Sequence, residues 1–332
     1  MITLERISDT AGAERWSALA LSCVPVDHPG LVAGSLEEVL HQLRGVQSSY
    51  RYAHFVAVED GADVAYGTAR LPLRDNLSSA TVSVSVLPSR RRRSAGTALA
   101  KEILAFVRSK GRTNAVWTVG SPVGEESPGC AFSRGLGARS ALSRLRRELD
   151  LRNVDDQELD NLVRTQIEGR DSDYEIVTWV DRAPDDLVDG VAKLVGRMST
   201  DTPRGDLSFE PEVWDASRWR EKEEDAFRAG RRRLAAGAVD RNGHLVAFTD
   251  IGAWAQEPAI AEQWNTIVDP DHRGHRLGLA TKVANLRNLR QQIPGALRLE
   301  TWNALENSRI IEINELLGFQ IVERVDEYQL AL

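Results

Sequence analysis

Apolar and polar residues along this chain alternate in blocks that switch period, and the same succession of blocks occurs twice. In the first half, "FVAVEDGADVAYGTARL" (55–71) is two apolar runs around Asp-Gly. That pattern predicts a β-hairpin, because the dipeptide tolerates the positive φ angles of a tight turn. In the second half, "LAAGAVDRNGHLVAFTDI" (234–251) has the same design around Asn-Gly. A third apolar run ending in proline follows each hairpin, "ATVSVSVLP" (80–88) and "EQWNTIVDP" (262–270). Basic residues with a glycine come next, then apolar positions at helical spacing, in "SRRRRSAGTALAKEILAFV" and "DHRGHRLGLATKVANLRNL". A further strand, "NAVWTVG" (114–120) or "LRLETWN" (297–303), and a segment ending in Leu-Gly complete each half.

The spacing supports a true repeat. Val64 and Val246, Pro88 and Pro270, and Gly96 and Gly278 each lie 182 positions apart, and Gly137 and Gly318 lie 181 apart. The pattern predicts two copies of one α/β unit, residues 1–165 and 172–332, joined near the polar stretch "TQIEGRDSDYE" (165–175) that precedes a strand "YEIVTWV". Each copy should hold a helical N-terminal portion, a run of strands, a strand-turn-helix and a closing strand-helix-strand.

Length agrees, since 332 residues suit two cores better than one. Hydrophobic residues at 42% and charged residues at 27% are those of a globular protein. Cys23 and Cys130 are too few for a disulfide framework and lack metal-ligand spacing, so they read as small buried apolar groups in a reducing compartment. No stretch is apolar for long enough to span a bilayer, and "MITLERISDTAGAER" has no basic leader, which leads to the expectation of a cytoplasmic protein without a membrane partner. A net charge of −7 argues against nucleic acid as a partner. The four arginines 90–93 leave that alternative on the table, although no aromatic residues interleave them.

The chemistry concentrates in "VDPDHRGHRLGLATK" (268–282). A strand that ends in a Gly-containing basic turn and enters a helix leaves several N–H groups pointing at one spot, reinforced by the helix dipole. Such a turn holds an anion. It is neither a Walker loop nor GxGxxG, so nucleotide hydrolysis and dinucleotide binding lose support.

Pro270, Arg273, Gly274, Gly278 and Ala280 stand as in the RxxGxG/A pyrophosphate loop of the GNAT (Gcn5-related N-acetyltransferase) superfamily, which this turn resembles. Downstream, "TWNALENSRIIEINELLGF" (301–319) is similar to the family's later strand and helix. The first half resembles the family less closely. The resemblance implies two tandem GNAT folds, each a mixed, mostly antiparallel twisted sheet flanked by helices. It further implies acetyl-CoA as co-substrate, with no metal.

By the same resemblance, a bulged fourth strand would offer Thr266, Ile267 and Val268 to the pantetheine arm, with a freed N–H near Ile267 for the thioester oxyanion. Arg273, Gly274, His275, Arg276, Leu277, Gly278, Leu279 and Ala280 would hold the pyrophosphate, with Arg276 standing where the family has its first glycine. Asn303 and Asn307 match positions that bind the arm and phosphates; local capping and turn bonding are the alternative. Glu262, eleven residues before Arg273, matches the general base. Even spacing is expected to place it on one strand face with Thr266 and Val268. Asn314 occupies the position of the family's acidic tyrosine, which leaves Tyr328, water or unaided departure of the thiolate.

In the first half, Arg91 opens the loop, Ser94 replaces the first glycine and Gly96 keeps the second, but the base position is Ala80 and Glu126 stands for Asn307. That half is expected to be degenerate and the second catalytic. The stretch 198–215, with Asp201, Asp206, Glu210 and Glu212, either favours an ammonium-bearing acceptor or is a solvated acidic loop. The expected activity is acetyl transfer to a primary amine of a small molecule, by a monomer or homodimer. The alternatives are a non-catalytic module that binds CoA thioesters and a transferase with another acyl donor.

Overall fold

The computed structural model describes residues 1–31, 33–45, 48–166, 173–255 and 258–332. The core of the expected junction, 167–172, lies outside the described residues. The chain forms two compact units. Unit 1 comprises Met1–Ser143, Arg204–Glu210 and Arg324–Leu332, and unit 2 comprises Arg144–Pro203 and Pro211–Glu323.

The first set of elements is β1 (Ile2–Arg6), α1 (Thr10–Asp27), α2 (Leu36–Arg44), β2 (Tyr50–Glu59), β3 (Ala62–Pro72), β4 (Ser79–Val86), α3 (Ala95–Ser109), β5 (Asn114–Ser121), α4 (Pro128–Gly135) and β6 (Arg139–Asp150). After α5 (Asp156–Gln166) the order recurs as β7 (Tyr174–Val180), α6 (Val188–Asp201), α7 (Ala216–Arg228), β8 (Arg231–Asp240), β9 (Leu245–Trp254), β10 (Ile260–Val268), α8 (Leu277–Gln292), β11 (Arg298–Ala304), α9 (Ser308–Leu316) and β12 (Gln320–Ala331). The β2–β3 hairpin turns through Asp60 (φ 51°) and Gly61 (φ 82°), both left-handed, as a short twisted hairpin requires. In the β8–β9 turn, the Asp240 carboxylate accepts N–H bonds from Asn242 and His244 at 2.9 and 2.8 Å.

Within unit 1, β1 to β5 pair in sequence, antiparallel except β4 with β5. The strand that closes this sheet is not β6 but the end of the chain: Arg324–Ala331 of β12 pairs antiparallel with β5. Within unit 2, β7 to β11 pair in sequence, with β10 and β11 parallel, and Arg144–Asp150 of β6 closes against β11. Each sheet is therefore mixed and mostly antiparallel. Periodicity finds strands but not their partners, so this allocation of the two last strands was not legible in the repeat.

Both sheets are covered on two faces. In unit 1, α3 buries Leu99, Ile103 and Val107 against one face, and Leu19, Cys23 and Val39 of α1 and α2 cover the other. In unit 2, α8 buries Leu279, Val283, Leu286 and Leu289 against Leu234, Ile251 and Ala261, while α6 and α7 bury Val191, Leu194 and Trp219 against Ala235 and Phe248. Both cysteines are buried and free, as read from the sequence. Among the described residues, no helix is long and apolar enough to cross a membrane.

Candidate functional site

The site begins where unit 2's sheet forks. Strand β10 runs parallel to β11 only at Ile260–Glu262, opposite Arg298–Glu300, and then leaves it. Toward β9 it continues to pair, but Gln263 opposes Ile251 and Thr266 opposes Thr249, so Trp264 and Asn265 together face Asp250. This is a β-bulge. The buried Asp250 carboxylate fills it, accepting the Asn265 N–H and Nδ2 both at 2.8 Å, and is itself paired with Arg233.

The extra residue inverts strand parity. Ala261 packs on the α8 side, so Glu262 faces α7; beyond the bulge Ile267 packs with Phe248 on the α6–α7 side and Val268 with Leu277 of α8. Glu262 therefore does not share a face with Thr266 and Val268, contrary to the even spacing, because that spacing assumed an unbroken strand. The Asp269 N–H donates to Val246 O at 2.8 Å. Antiparallel alternation then turns the Ile267 N–H toward β9 and those of Thr266 and Val268 into the fork.

Glu262 is one-third exposed, bonded to Trp264 Nε1 at 2.9 Å and paired with Arg231 at 3.3 Å. The indole of Trp264 has room only because residue 252 is glycine, where a Cβ would come within 1.9 Å of the ring. Beside Glu262 in the parallel register is Glu300, fully buried. Its Oε1 meets Arg146 Nη1 at 3.1 Å, and its Oε2 has no partner among the described residues. Burial pushes the Glu300 carboxyl up to about 7 against the pull of Arg146, with Glu148 and Glu262 adding to the rise. Sequence patterns gave no sign of Glu300, which stands inside an apparent apolar strand.

The turn after β10 is held by its first arginine. Arg273 Nη2 pairs with Asp201 at 2.7 Å and its Nε donates to Val268 O at 3.3 Å, so this guanidinium anchors the loop to the end of α6. Gly274 (φ 91°) and Arg276 (φ 57°) are left-handed. The N–H groups of Leu279 and Ala280 already bond to Arg276 O at 3.0 Å, while those of Arg276, Leu277 and Gly278 have no partner among the described residues. The side chains of Leu277, Leu279 and Ala280 are buried in the core, so of these three only Leu277 offers an unpartnered backbone N–H among the described residues. The ring of His275 packs against Tyr174 at 5.6 Å. At Gly278 a Cβ would meet Ile313 at 3.2 Å, so the glycine lets α8 approach α9. The Arg276 side chain pairs with Glu312 at 2.9 Å.

Asn303 and Asn307 lie at the end of β11 and the start of α9. Asn307 occupies the N-cap without a side-chain cap bond, whereas the Asn303 side chain is engaged locally by Asn314. Asn314 is buried, donating to Asn303 Oδ1 at 2.7 Å and accepting from Lys282 Nζ at 2.7 Å. Burial lowers the Lys282 ammonium to about 7. Tyr328 is a core residue of unit 1, packed in the cluster with Cys130.

Unit 1 keeps the turn and the fork, β4 running parallel to β5 only at Ser79–Thr81, but not the bulge or the two carboxylates. Arg91 pairs with Asp27 at the end of α1 at 2.5 Å and donates to Val86 O at 3.0 Å, the same anchor as Arg273. Arg92 (φ 63°) and Ser94 (φ 69°) repeat the two left-handed positions. Strand β4, however, pairs with β3 without a register shift. Thr81 pairs with Arg70 and Val116 as Glu262 pairs with Gly252 and Glu300, so Thr81 and not Ala80 is the counterpart of Glu262. The count back from Arg91 missed by one because the bulge residue is absent. Glu126, at the position of Asn307, is bidentate with Arg134 at 2.8 and 2.9 Å, so its charge is paired.

The acidic stretch 198–215 is divided between the units, Arg204–Glu210 belonging to unit 1. Asp201 holds Arg273, and Glu212 accepts from Trp214 Nε1. In unit 1, Glu210 accepts from the Asn76 N–H at 2.9 Å and Asp206 lies 3.9 Å from Arg139.

No family model matches the chain. No curated protein matches it either. Solved structures do. A tandem GNAT protein from the clavulanic acid biosynthesis pathway, solved without AcCoA, aligns over 100% of this chain and 98% of its own at 25% identity, TM-score 0.83. A GCN5-related N-acetyltransferase from Sphaerobacter thermophilus covers 99% and 95% at 15% identity, TM-score 0.65. A putative acetyltransferase from Pyrococcus horikoshii covers 100% and 89% at 13% identity, TM-score 0.57. With a forked mixed sheet and an anchored turn in each unit, the chain is by fold a tandem GNAT protein.

Proposed function

We propose that the protein transfers an acetyl group from acetyl-CoA to the primary amine of a small molecule, and that unit 2 does the chemistry. The carrying observation is the fork of β10 from β11, with Glu262 at its apex and a turn of unpartnered N–H groups at its end. The residues suit a pyrophosphate: the N–H groups of Arg276, Leu277 and Gly278 converge at a helix N-terminus, with a guanidinium at Arg276. The solved protein of the same tandem architecture was determined in a form without AcCoA, and by that likeness AcCoA is taken as the donor here. Bound there, acetyl-CoA would supply an acyl group already activated as a thioester.

The chain's own tasks are to remove a proton and to stabilise charge. An alkylammonium near pKa ~10 is not nucleophilic until deprotonated, and the one-third exposed Glu262 carboxylate is placed to take that proton through water. The N–H groups of Thr266 and Val268, turned into the fork, are donors for negative charge developing on an oxygen. A thiol of pKa ~8.5 is a fair leaving group, so Asn314 in place of an acid does not stop turnover. Calorimetry with acetyl-CoA, followed by release of free CoA across a panel of amines, tests this reading. Saturable binding and amine-dependent release are expected; no saturable binding overturns it.

A further inference from the structure

The face that carries Glu262 continues into four indoles and four cations. Arg231 lies over Trp254 at 3.8 Å and Trp264 at 5.7 Å, and Arg233 over Trp264 at 4.5 Å and Trp219 at 4.9 Å. From α7, Arg218 lies over Trp214 at 4.2 Å, and Lys222 Nζ is 5.0 Å from Trp214 and 5.4 Å from Trp219. Contacts thus run without a break from Lys222 through Trp219, Arg233 and Trp264 to the carboxylate of Glu262.

The carboxylates here are engaged. Asp250 holds Arg233 and Asn265, and Glu262 holds Arg231. Glu223 takes the Ala183 N–H, Trp219 Nε1 and Arg220, and Glu212 takes Trp214 Nε1. The Lys222 ammonium has no ion-pair or hydrogen-bond partner among the described residues. Burial, then the neighbouring Arg233, lowers it to about 8, with Asp250 and Glu212 pulling the other way and Arg218 adding to the fall. A half-buried ammonium without a counter-ion is an unfavourable arrangement that a bound anion would relieve. The indole faces, which would otherwise attract a cation, already face Arg218, Lys222, Arg231 and Arg233.

We infer that the acceptor is an amino carboxylate, its carboxylate paired with Lys222 and its amine presented to Glu262 across the Trp219 and Trp264 rings. This rests on the acyl-transfer reading for the reaction, but not for the binding. Of the acidic stretch 198–215, Asp201 holds Arg273, Glu210 holds the Asn76 N–H and Glu212 holds Trp214 Nε1, so an ammonium-bearing acceptor meets Glu262 instead.

The test is a series of amino acids with the amine at increasing distance from the carboxylate, each beside its carboxamide. Binding is measured by calorimetry without acetyl-CoA, and KM and kcat by CoA release. For at least one spacing the carboxylate should bind about tenfold tighter than its amide, the size of a charge-assisted pair. Lys222→Gln should erase the preference through KM, and Lys222→Arg should restore part of it in protein whose circular dichroism is unchanged. Amides that match or exceed the acids at every spacing, binding by no member of the series, or a preference that survives Lys222→Gln would each overturn the inference. If no CoA is released yet calorimetry shows the preference and its loss, the anion site stands and the acyl-transfer reading fails.

Discussion

Unit 1 and unit 2 share a turn and differ in the strand that feeds it. Both turns are tied by an arginine to the last residue of a helix, Arg91 to Asp27 of α1 and Arg273 to Asp201 of α6, and both place left-handed residues at equivalent positions. Just upstream, β10 carries one residue more than β4 and bulges, and Glu262 and Glu300 stand where unit 1 has Thr81 and Val116. On the proposed reading the turn binds an anion and persists where the chemistry is lost, and the bulge with its two neighbouring carboxylates is what the chemistry adds.

The largest effect that tests this contrast is on turnover. Glu262→Gln keeps the bond from Trp264 but removes the proton acceptor, and should lower kcat by about 10²–10⁴-fold. Thr81→Val in unit 1 should leave kcat within about twofold. Comparable losses from the two substitutions in a steady-state CoA-release assay would mean that catalysis is not confined to unit 2.

Next in size is the buried carboxyl beside Glu262. Glu300 has its folded pKa raised to about 7 from 4.5, so between those values the folded chain binds more protons than the unfolded one. Its contribution is favourable below pH 4.5 and is lost as pH rises through 7. Urea unfolding at pH 5 and pH 8 should show Glu300→Gln gaining on the parent chain by about 1–3 kcal/mol toward the higher pH. Unit 1, with Val116 at this register position, has no equivalent slope. A difference between variant and parent that is flat with pH would show that Arg146 keeps Glu300 ionised throughout.

Much of this was legible in the sequence. Hydrophobic period and the Asp-Gly and Asn-Gly turns placed the strands and helices, and the 182-residue offset aligned the two turns. What periodicity could not carry was anything set by pairing. The exchange of closing strands depends on contacts far apart in the chain, and a bulge adds a residue without altering composition. That single residue put Glu262 on the face opposite Thr266 and Val268 and moved its counterpart from Ala80 to Thr81. Glu300, Lys222 and Lys282 were missed for a related reason. Their significance lies in burial and in which charges do or do not meet them, and neither has a local signature.

The smallest effect separates the two turns themselves. A non-glycine residue in the left-handed region costs about 1–2 kcal/mol relative to the ordinary helical one, and both Ser94 (φ 69°) and Arg276 (φ 57°) bear that strain. Ser94→Gly should therefore stabilise the protein by about 0.5–1 kcal/mol in urea unfolding and leave acetyl-CoA turnover unaltered. Arg276→Gly gains the same relief, less the small worth of its exposed pair with Glu312. Its effect on ligand should be opposite. Arg273 is committed to Asp201, so Arg276 is the guanidinium of this turn that can exchange an exposed carboxylate for a phosphate. Arg276→Gly should thus be more stable than the parent and bind acetyl-CoA about tenfold more weakly by calorimetry. Unchanged affinity in the stabilised variant would assign the anion to the backbone N–H groups alone, and the two turns would then differ only in what stands upstream of them.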